Sequence, residues 1–209
     1  MNADQLATVR SEVRLRYLDA GLRILGIKGY ASLKLATLCR EVGVSTGAFY
    51  YAFGNWDDYT VSLIEYWREE VAFRLVNAAS AYATARERLE FLRDVVHRLP
   101  HDTEAAIRIW AAHDPRVAAI QSEVDDARRA LVAGVFRDIA PGLASVDDYA
   151  AAAVDQLVGY QNGTRRSREA LNCFLEAIVN QVTFEANPCY LTFRCEPGAT
   201  HTRPAGEES

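Results

Sequence analysis

Apolar residues recur at intervals of three and four along almost the whole chain, and this spacing constrains the fold more than any other feature. No segment rich in Val, Ile and Thr alternates apolar with polar residues between turn signals, so we expect no sheet. With 209 residues, 50% of them hydrophobic, the chain can bury a sizeable core. The sequence therefore predicts an all-α protein.

Turn and cap residues divide the first part of this pattern into three helices. The first is predicted over residues 9–27, and Ser32 is predicted to cap the second. Gly43 suits the end of the second helix, because glycine adopts the left-handed conformation common at helix C-termini. Ser45 or Thr46 can cap a third, very short helix. Two helices joined by such a tight turn are typical of a helix-turn-helix unit.

A long fourth helix is predicted from the N-cap Asn55 to about Ala83. Asp57 and Asp58 lie in its first turn, where negative charge is favoured by the helix dipole. Later breaks at Pro, Gly and Asn residues delimit five more helices. These cover about residues 85–99, 103–113, 115–140, 147–162 and 168–186.

The charge is distributed unevenly along the chain. The net charge is −5, which by itself argues against a nucleic-acid partner. Residues 10–60, however, carry seven basic and five acidic side chains, so the N-terminal part is the basic part. The stretch GVSTGAFYYAFGN at 43–55, which includes the predicted short helix, contains no Lys or Arg. If this helix binds DNA, groups outside it must hold the phosphates.

The four cysteines predict neither a metal site nor a cofactor site. Cys39 and Cys173 lie in helical apolar patterns, where a free cysteine behaves as a small buried hydrophobe. Cys189 and Cys195, with His201 nearby, are too few for a four-ligand zinc site.

The segment LATLCREVGVSTGAFYYAFGNWDDY at 35–59 resembles the TetR family of bacterial transcriptional regulators. The family pattern is approximately I-A-x-x-x-G-V-S-x-G-x-[FL]-Y-x-x-F-x-x-[KR]-x-x-L. Residues 104–129, EAAIRIWAAHDPRVAAIQSEVDDARR, are similar to the regulatory half of one TetR subgroup. The residues that match the N-terminal pattern are Leu38, Cys39, Gly43, Val44, Ser45, Gly47, Phe49, Tyr50 and Phe53.

This resemblance implies a three-helix DNA-binding domain over 1–54 and a helical regulatory domain over 55–186, followed by a flexible tail over 187–209. It further implies a ligand-responsive regulator, by family habit a repressor, that binds a palindromic operator as a homodimer. The dimer would form through the last two helices, at about 147–162 and 168–186. Their predicted apolar faces comprise Val154, Leu157, Val158, Leu171, Phe174, Leu175, Ile178 and Val182.

The resemblance also assigns the DNA contacts by position. Thr46 and Trp56 stand where the family often has lysines, so we expect DNA binding with a shallow salt dependence. Tyr50 retains a hydroxyl that can contact a phosphate. The complete predicted DNA-binding set is Lys34, Ser45, Thr46, Gly47, Ala48, Tyr50 and Tyr51.

Aromatic residues in the predicted regulatory helices suggest an effector site with apolar walls and a few polar groups. An aromatic residue at helical spacing is more often part of a plain core, so the sequence leaves both interpretations open. The effector would be a small apolar or aromatic molecule. The candidate lining residues are Trp67, Phe91, Trp110 and Tyr160 for the walls, with His113 and Gln156 as polar groups.

Other classes of function have less support in the sequence. The chain has no G-x-S-x-G motif and no phosphate-binding glycine loop, so an enzyme is not expected. No apolar run approaches the roughly 18 residues that span a bilayer, so we expect no membrane partner and a cytoplasmic location. The missing lysines leave one alternative open, namely a TetR-like dimer that binds a ligand but has weakened or lost DNA binding.

Overall fold

The computed structural model describes residues 3–79 and 81–186, and these contain helices and no strand. The all-α prediction is therefore confirmed. The predicted tail at 187–209, with Cys189, Cys195 and His201, lies outside the described residues. The helices are α1 Ala3–Lys28, α2 Leu35–Val42, α3 Thr46–Ala52, α4 Trp56–Trp67, α5 Arg74–Ala79, α6 Ala85–Val96, α7 His101–Ala111, α8 Pro115–Ile139, α9 Val146–Asn162 and α10 Arg168–Ala186.

Local capping interactions fix most of these boundaries. Ser45 caps α3 by accepting a hydrogen bond from the Ala48 amide at 3.4 Å, and Asn55 caps α4 through the Asp58 amide at 2.8 Å. Gly43 ends α2 with φ 79°, as predicted. The prediction for Ser32 is wrong, because α2 begins at Leu35 with Lys34 at its N-cap, while the Ser32 hydroxyl donates to the Lys28 carbonyl oxygen at 3.0 Å.

The fourth predicted helix has an internal irregularity. A π-helical segment, Arg68–Phe73, joins α4 to α5, and α5 ends at Ala79. The predicted end near Ala83 is too late, because Thr84 already caps α6 through a reciprocal pair of hydrogen bonds with Glu87. The five later helices lie within a few residues of their predicted positions.

One continuous core joins the first three helices to α4, α7 and α8. Tyr59 in α4 packs edge to face on Phe53, with ring centroids 5.1 Å apart, and Trp67 and Trp110 belong to the same cluster. A second core lies between α8, α9 and α10. The predicted division of the chain at 54/55 stays a prediction, since this packing continues across it.

Candidate nucleic-acid interface and effector cavity

Helix α3 turns one face into the core and the other outward. Phe49 and Phe53 are fully buried, and each packs edge to face on Tyr17, at centroid distances of 5.7 and 5.8 Å. Tyr50 and Tyr51 are 52% and 68% exposed. Because this helix is only seven residues long, buried aromatic anchors are what hold its outer face in place.

The predicted DNA-binding residues lie on this outer side. Thr46, Gly47 and the predicted cap Ser45 are exposed at the start of α3, and Ala48 is half-buried. Lys34 is exposed and precedes the first turn of α2. The structure thus brings the α3 members of the set together on a single solvent-facing surface, which we call the reading face.

Arg14 on α1 holds the C-terminal end of α3 in position. Its guanidinium donates to the Ala52 carbonyl oxygen at 2.8 Å and to Ser62 Oγ at 2.9 Å, and it lies 4.2 Å from the centre of the Phe53 ring. These contacts satisfy a carbonyl in the last turn of α3. We therefore assign Arg14 to positioning of α3, and phosphate binding falls to other residues.

The remaining basic side chains described at 11–60 divide into two groups. Arg23 and Lys28 both pair with Glu41, at 3.8 and 3.1 Å. The others are exposed and form no ion pair with any described residue. These unpaired cations are Arg16, Lys34 and Arg40.

The two aspartates in the first turn of α4 have structural partners. Arg116 at the start of α8 donates two hydrogen bonds to the Asp57 carboxylate, at 2.7 and 3.0 Å, and these bonds lower the pKa of Asp57. Asp58 Oδ2 accepts from the Gly54 amide at 2.9 Å. The acidic turn is thus linked to α8 and to the α3–α4 connection. Arg116 pairs with Asp57 of this turn, and Asp58 lies 3.9 Å from the Arg14 guanidinium.

A separate cavity of about 120 Å³ lies between α6, α8, α9 and α10. Its wall is almost entirely aliphatic, and Phe136 is its one aromatic member among the described residues. Arg93 and Arg128 also line it, and both carry carboxylate partners, Glu176 and Glu104 respectively. The cavity therefore presents an apolar surface with no unpaired charge among the described residues.

None of the six predicted effector-binding residues lines this cavity. Trp67 and Trp110 are buried in the core beneath the N-terminal helices, where Trp110 stacks on Tyr30 at 5.7 Å. His113 is exposed and also faces Tyr30. Phe91 packs on Tyr82, Tyr160 packs on His101, and Gln156 is half-buried on α9. An effector role for these six stays an untested prediction.

The residues that line the cavity show mostly aliphatic side chains at helical spacing in the sequence, which does not distinguish a ligand site from a core. Leu89, Leu92 and Val96 repeat along one side of α6, which marks a buried stripe but does not show what covers it. The cavity forms only when α6, α8, α9 and α10 pack together and leave the space between them unfilled. The cavity-lining residues are Leu89, Leu92, Arg93, Val95, Val96, Leu99, Arg128, Leu131, Val132, Val135, Phe136, Ala153, Val154, Leu157, Leu175, Ile178 and Val179.

A layer of buried charges borders the cavity. Glu104 is fully buried, and it accepts two hydrogen bonds from Arg128, at 2.7 and 2.8 Å, and one from Gln161 at 2.7 Å. Arg108 donates to both oxygens of Asp125, at 2.8 and 2.9 Å. Each buried carboxylate thus has a guanidinium partner, as burial of charge requires.

Most residues of the predicted dimer faces are packed within the monomer. Val154 and Leu157 line the cavity, and Ile178 and Val182 are buried in the second core. Leu171 is buried and Leu175 lines the cavity, while Val158 is half-buried. Among the residues predicted for the interface on α10, Phe174 alone is exposed. Cys173 beside it is exposed, so its predicted burial is wrong, whereas that of Cys39 is confirmed.

The geometry defines a helix-turn-helix protein with a helical second half, and comparison with known proteins agrees. Residues 18–58 match the family model described as "Bacterial regulatory proteins, tetR family". Over 99 residues the chain is 27% identical to the HTH-type transcriptional regulator BetI of Rhizobium meliloti (strain 1021). That match covers 47% of this chain and 49% of the relative, so it spans about half the length of either protein.

Solved structures extend the likeness across the fold. A TetR transcription regulator from Haloarcula marismortui ATCC 43049 superposes with a TM-score of 0.60 at 20% identity, covering 86% of this chain and 98% of that one. A protein described as a transcriptional regulator from Saccharomonospora viridis, in complex with choline, gives a TM-score of 0.68 at 20% identity, covering 81% and 96%. Residues 18–58 therefore match the DNA-binding module of the TetR family, and the fold of the chain is like that of a TetR regulator.

Proposed function

We propose that this protein is a ligand-responsive transcriptional regulator that binds DNA through α2 and α3. The observation that carries the proposal is the reading face, where Thr46, Gly47, Tyr50 and Tyr51 are exposed on a short helix anchored by buried aromatic rings. Small residues at 47 and 48 allow close approach to a groove, and a threonine or tyrosine hydroxyl can hydrogen-bond to base edges or phosphates. Such a protein acts in the cytoplasm.

The test of DNA binding is electrophoretic mobility with the DNA that flanks the protein's own coding region. We expect a specific shift that Tyr51→Ala weakens, while Tyr82→Ala, which also removes an exposed tyrosine, leaves it unchanged. A folded protein that shifts no DNA at low salt would refute the proposal. It would favour the alternative of a TetR-like ligand-binding dimer that has lost its DNA contacts.

For the effector we propose a small, uncharged apolar or aromatic molecule bound in the aliphatic cavity. An apolar ligand gains free energy by leaving water for such a wall. Because Arg93 and Arg128 already pair with carboxylates, a ligand carboxylate finds no free cation there. A cation such as choline, which occupies the Saccharomonospora viridis protein, would find one aromatic ring and no unpaired carboxylate among the described lining residues.

Thermal unfolding in the presence of small ligands tests this assignment. We expect toluene to raise the melting temperature, and octanoate and choline to leave it unchanged. Ala153→Leu, which places a larger side chain at the cavity wall, should abolish the toluene effect. Ala130→Leu, at an exposed position of α8, should preserve it. Stabilisation by choline but not by toluene would contradict the proposed class of effector.

We further propose a homodimer formed by the outer sides of α9 and α10. Phe174 and Phe184 are 40% and 44% exposed on α10, and Gly159 on α9 allows close approach of a partner. Two reading faces related by twofold symmetry would bind half-sites roughly 34–36 Å apart, which implies a palindromic operator. Effector binding would then favour a dimer with the wrong spacing, so repression would be relieved.

The oligomeric state can be measured by analytical ultracentrifugation. Phe174→Asp should shift the protein from dimer to monomer, because a carboxylate would be buried unpaired in the interface. Ile109→Asp is the matched control, since Ile109 is also exposed but lies on α7. A dimer that tolerates Phe174→Asp and dissociates with Ile109→Asp would place the interface elsewhere.

A further inference from the structure

The aliphatic cavity is not equally enclosed on all sides. On α8 and α9, lining residues such as Val135, Phe136 and Leu157 are buried. On α6 and α10 most lining residues are partly exposed, and Arg93 on α6 is exposed. The partly exposed lining residues of these two helices are Leu89, Leu92, Val95, Val96, Leu175 and Val179.

Helix α6 is the least embedded wall of the cavity. None of its described residues is buried, whereas α8, α9 and α10 each contribute buried residues to the interior. A side chain that stays partly exposed gains less hydrophobic free energy than a buried one. Of the four helices around the cavity, α6 can therefore separate from the others at the lowest cost in free energy.

Polar side chains join α6 to α10 beside the cavity. Arg93 pairs with Glu176, and a hydrogen bond of 2.7 Å joins Nε2 of His97, at the end of α6, to Oδ1 of Asn172. Arg168 donates to the His97 carbonyl oxygen at 3.4 Å. Arg93 and His97 are four residues apart, as are Asn172 and Glu176, so each pair lies on one side of its helix. We call these five residues the α6–α10 seam.

The contacts of the α6–α10 seam are individually weak. The side chains of Arg93 and Glu176 are 44% and 54% exposed, and an exposed ion pair adds little stability. Nδ1 of His97 is buried without a hydrogen-bond partner among the described residues, so the closed seam leaves one ring nitrogen unsatisfied. Opening the seam would give this nitrogen access to water. The seam can therefore open at a small cost, and when closed it shields the aliphatic wall.

The proposed dimer leaves the α6–α10 seam accessible. Asn172 and Glu176 each lie two positions from Phe174, and residues two positions apart point to nearly opposite sides of an α-helix. A partner chain that packs on Phe174 would cover the other side of α10. The seam would then face solvent in the dimer as it does in the monomer.

We propose that the α6–α10 seam is the entrance of the effector cavity, and that its Arg93–Glu176 and His97–Asn172 contacts form a latch. The inference rests on the proposed effector site. The latch joins protein groups to each other and not to the ligand, so it is closed in both the empty and the occupied protein. It therefore sets the rates at which an apolar ligand enters and leaves, and not the affinity.

Fluorine NMR of fluorobenzene, a neutral apolar molecule similar in size to toluene, tests the proposal. A titration gives the dissociation constant, and exchange broadening of the fluorine signal gives the rates of association and dissociation. Glu176→Arg, which places two cations opposite each other at the seam, should raise both rates about fivefold and leave the dissociation constant unchanged. Asn172→Ala should raise both rates about threefold.

Two further variants serve as controls. Glu90→Arg makes the same change of charge in an exposed ion pair, but its partner Arg86 also lies on α6, so both rates should stay at the wild-type values. Combining Glu176→Arg with Arg93→Glu restores the ion pair in reverse and should return the rates toward those of the wild type. Such a rescue distinguishes a latch from general loosening of the fold.

Each other outcome overturns the proposal in a recognisable way. If Glu90→Arg speeds exchange as much as Glu176→Arg, the effect is one of net charge and not of the seam. If the seam variants weaken binding without raising the association rate, the seam is part of the cavity wall and not its entrance. If neither rate changes, the ligand enters elsewhere. If the wild-type protein binds no fluorobenzene, the proposed effector site itself is wrong, and the entrance falls with it.

Discussion

The interior beneath the reading face and the interior around the cavity are filled in different ways. Under α3, the aromatic rings of Tyr17, Phe49, Phe53 and Tyr59 meet edge to face with little or no exposure. Between α6, α8, α9 and α10 the side chains are aliphatic and leave about 120 Å³ unfilled. A helix that must present side chains in one geometry gains from close packing, whereas a ligand site needs volume that the chain does not fill.

Charge follows the same division. In the N-terminal half the basic side chains lie at the surface, either unpaired or in partly exposed pairs such as Lys28 and Glu41. In the second half Glu104 and its partner Arg128 are taken out of water. The buried layer joins Arg128 at the cavity to Glu104 on α7, and α7 packs against α1, so a ligand that moves Arg128 would act on a connected network. Substitutions in the two regions should therefore fail for different reasons.

The largest effect is expected from Phe49→Ala in the aromatic core. Phe49 is fully buried and contacts four other rings besides Tyr17, so its removal leaves a cavity under α3. We expect a loss of about 3–5 kcal/mol in the free energy of unfolding, measured by urea denaturation. Tyr50→Ala on the exposed side of the same helix is the control and should change stability by less than about 0.5 kcal/mol. Equal losses would mean that α3 is not anchored by its inner face.

A somewhat smaller effect is expected from Glu104→Gln in the buried charge layer. The change leaves the Arg128 guanidinium buried without its bidentate partner, which should cost about 3 kcal/mol in urea denaturation. Glu176→Gln, which breaks the exposed pair with Arg93, should cost less than about 1 kcal/mol. If Glu104→Gln does not change the free energy of unfolding, the buried charge layer relaxes or takes up water. The second half of the chain is then packed less tightly than its hydrogen bonds indicate.

Alanine substitutions at two helical glycines allow a direct comparison of packing in the two regions. A Cβ atom at Gly21 would lie 2.1 Å from Tyr59 Oη and 2.9 Å from Leu63 Cδ2, so Gly21→Ala should destabilise the protein by about 1–3 kcal/mol. A Cβ atom at Gly134, in α8 beside the cavity helices, would meet nothing within 4 Å. Gly134→Ala should therefore raise stability by about 0.5–1 kcal/mol through helix propensity. If thermal or urea unfolding showed that both variants change stability in the same direction, the two regions would not differ in packing at these positions.

The smallest effect is expected at the link between the regions, the exposed pair of Asp57 and Arg116. Its hydrogen bonds lower the pKa of Asp57, so the stability it contributes is present above the ordinary carboxyl pKa and is lost as pH falls through the lowered value. We expect Asp57→Asn to melt slightly below the wild type at neutral pH and to match it in strong acid. Asp148→Asn, at an exposed aspartate, should track the wild type throughout. A difference that grows on acidification would reverse the sign and refute the link.

Short-range signals in the sequence were sufficient for much of the architecture. The caps at Ser45 and Asn55 and the end of α2 at Gly43 depend on residues within one helical turn, so they could be predicted and were. Ser32 does not cap α2, because that helix begins three residues later, at Leu35, and the Ser32 hydroxyl donates instead to the last residue of α1. The family pattern assigned the α3 residues to DNA contact, and this assignment stays a prediction although Thr46, Tyr50 and Tyr51 are exposed.

Periodicity determined which side chains are buried but not what they contact. It marked Trp67 and Trp110 as candidates for a ligand site, and the structure places both in a solid core. Asp57 meets Arg116 across 59 positions and Glu104 meets Gln161 across 57, and no local pattern specifies such pairs. Helix type, caps and burial were thus determined by the sequence through interactions between neighbours. The cavity and the buried charges were decided only by tertiary structure, because each is built from helices that are distant along the chain.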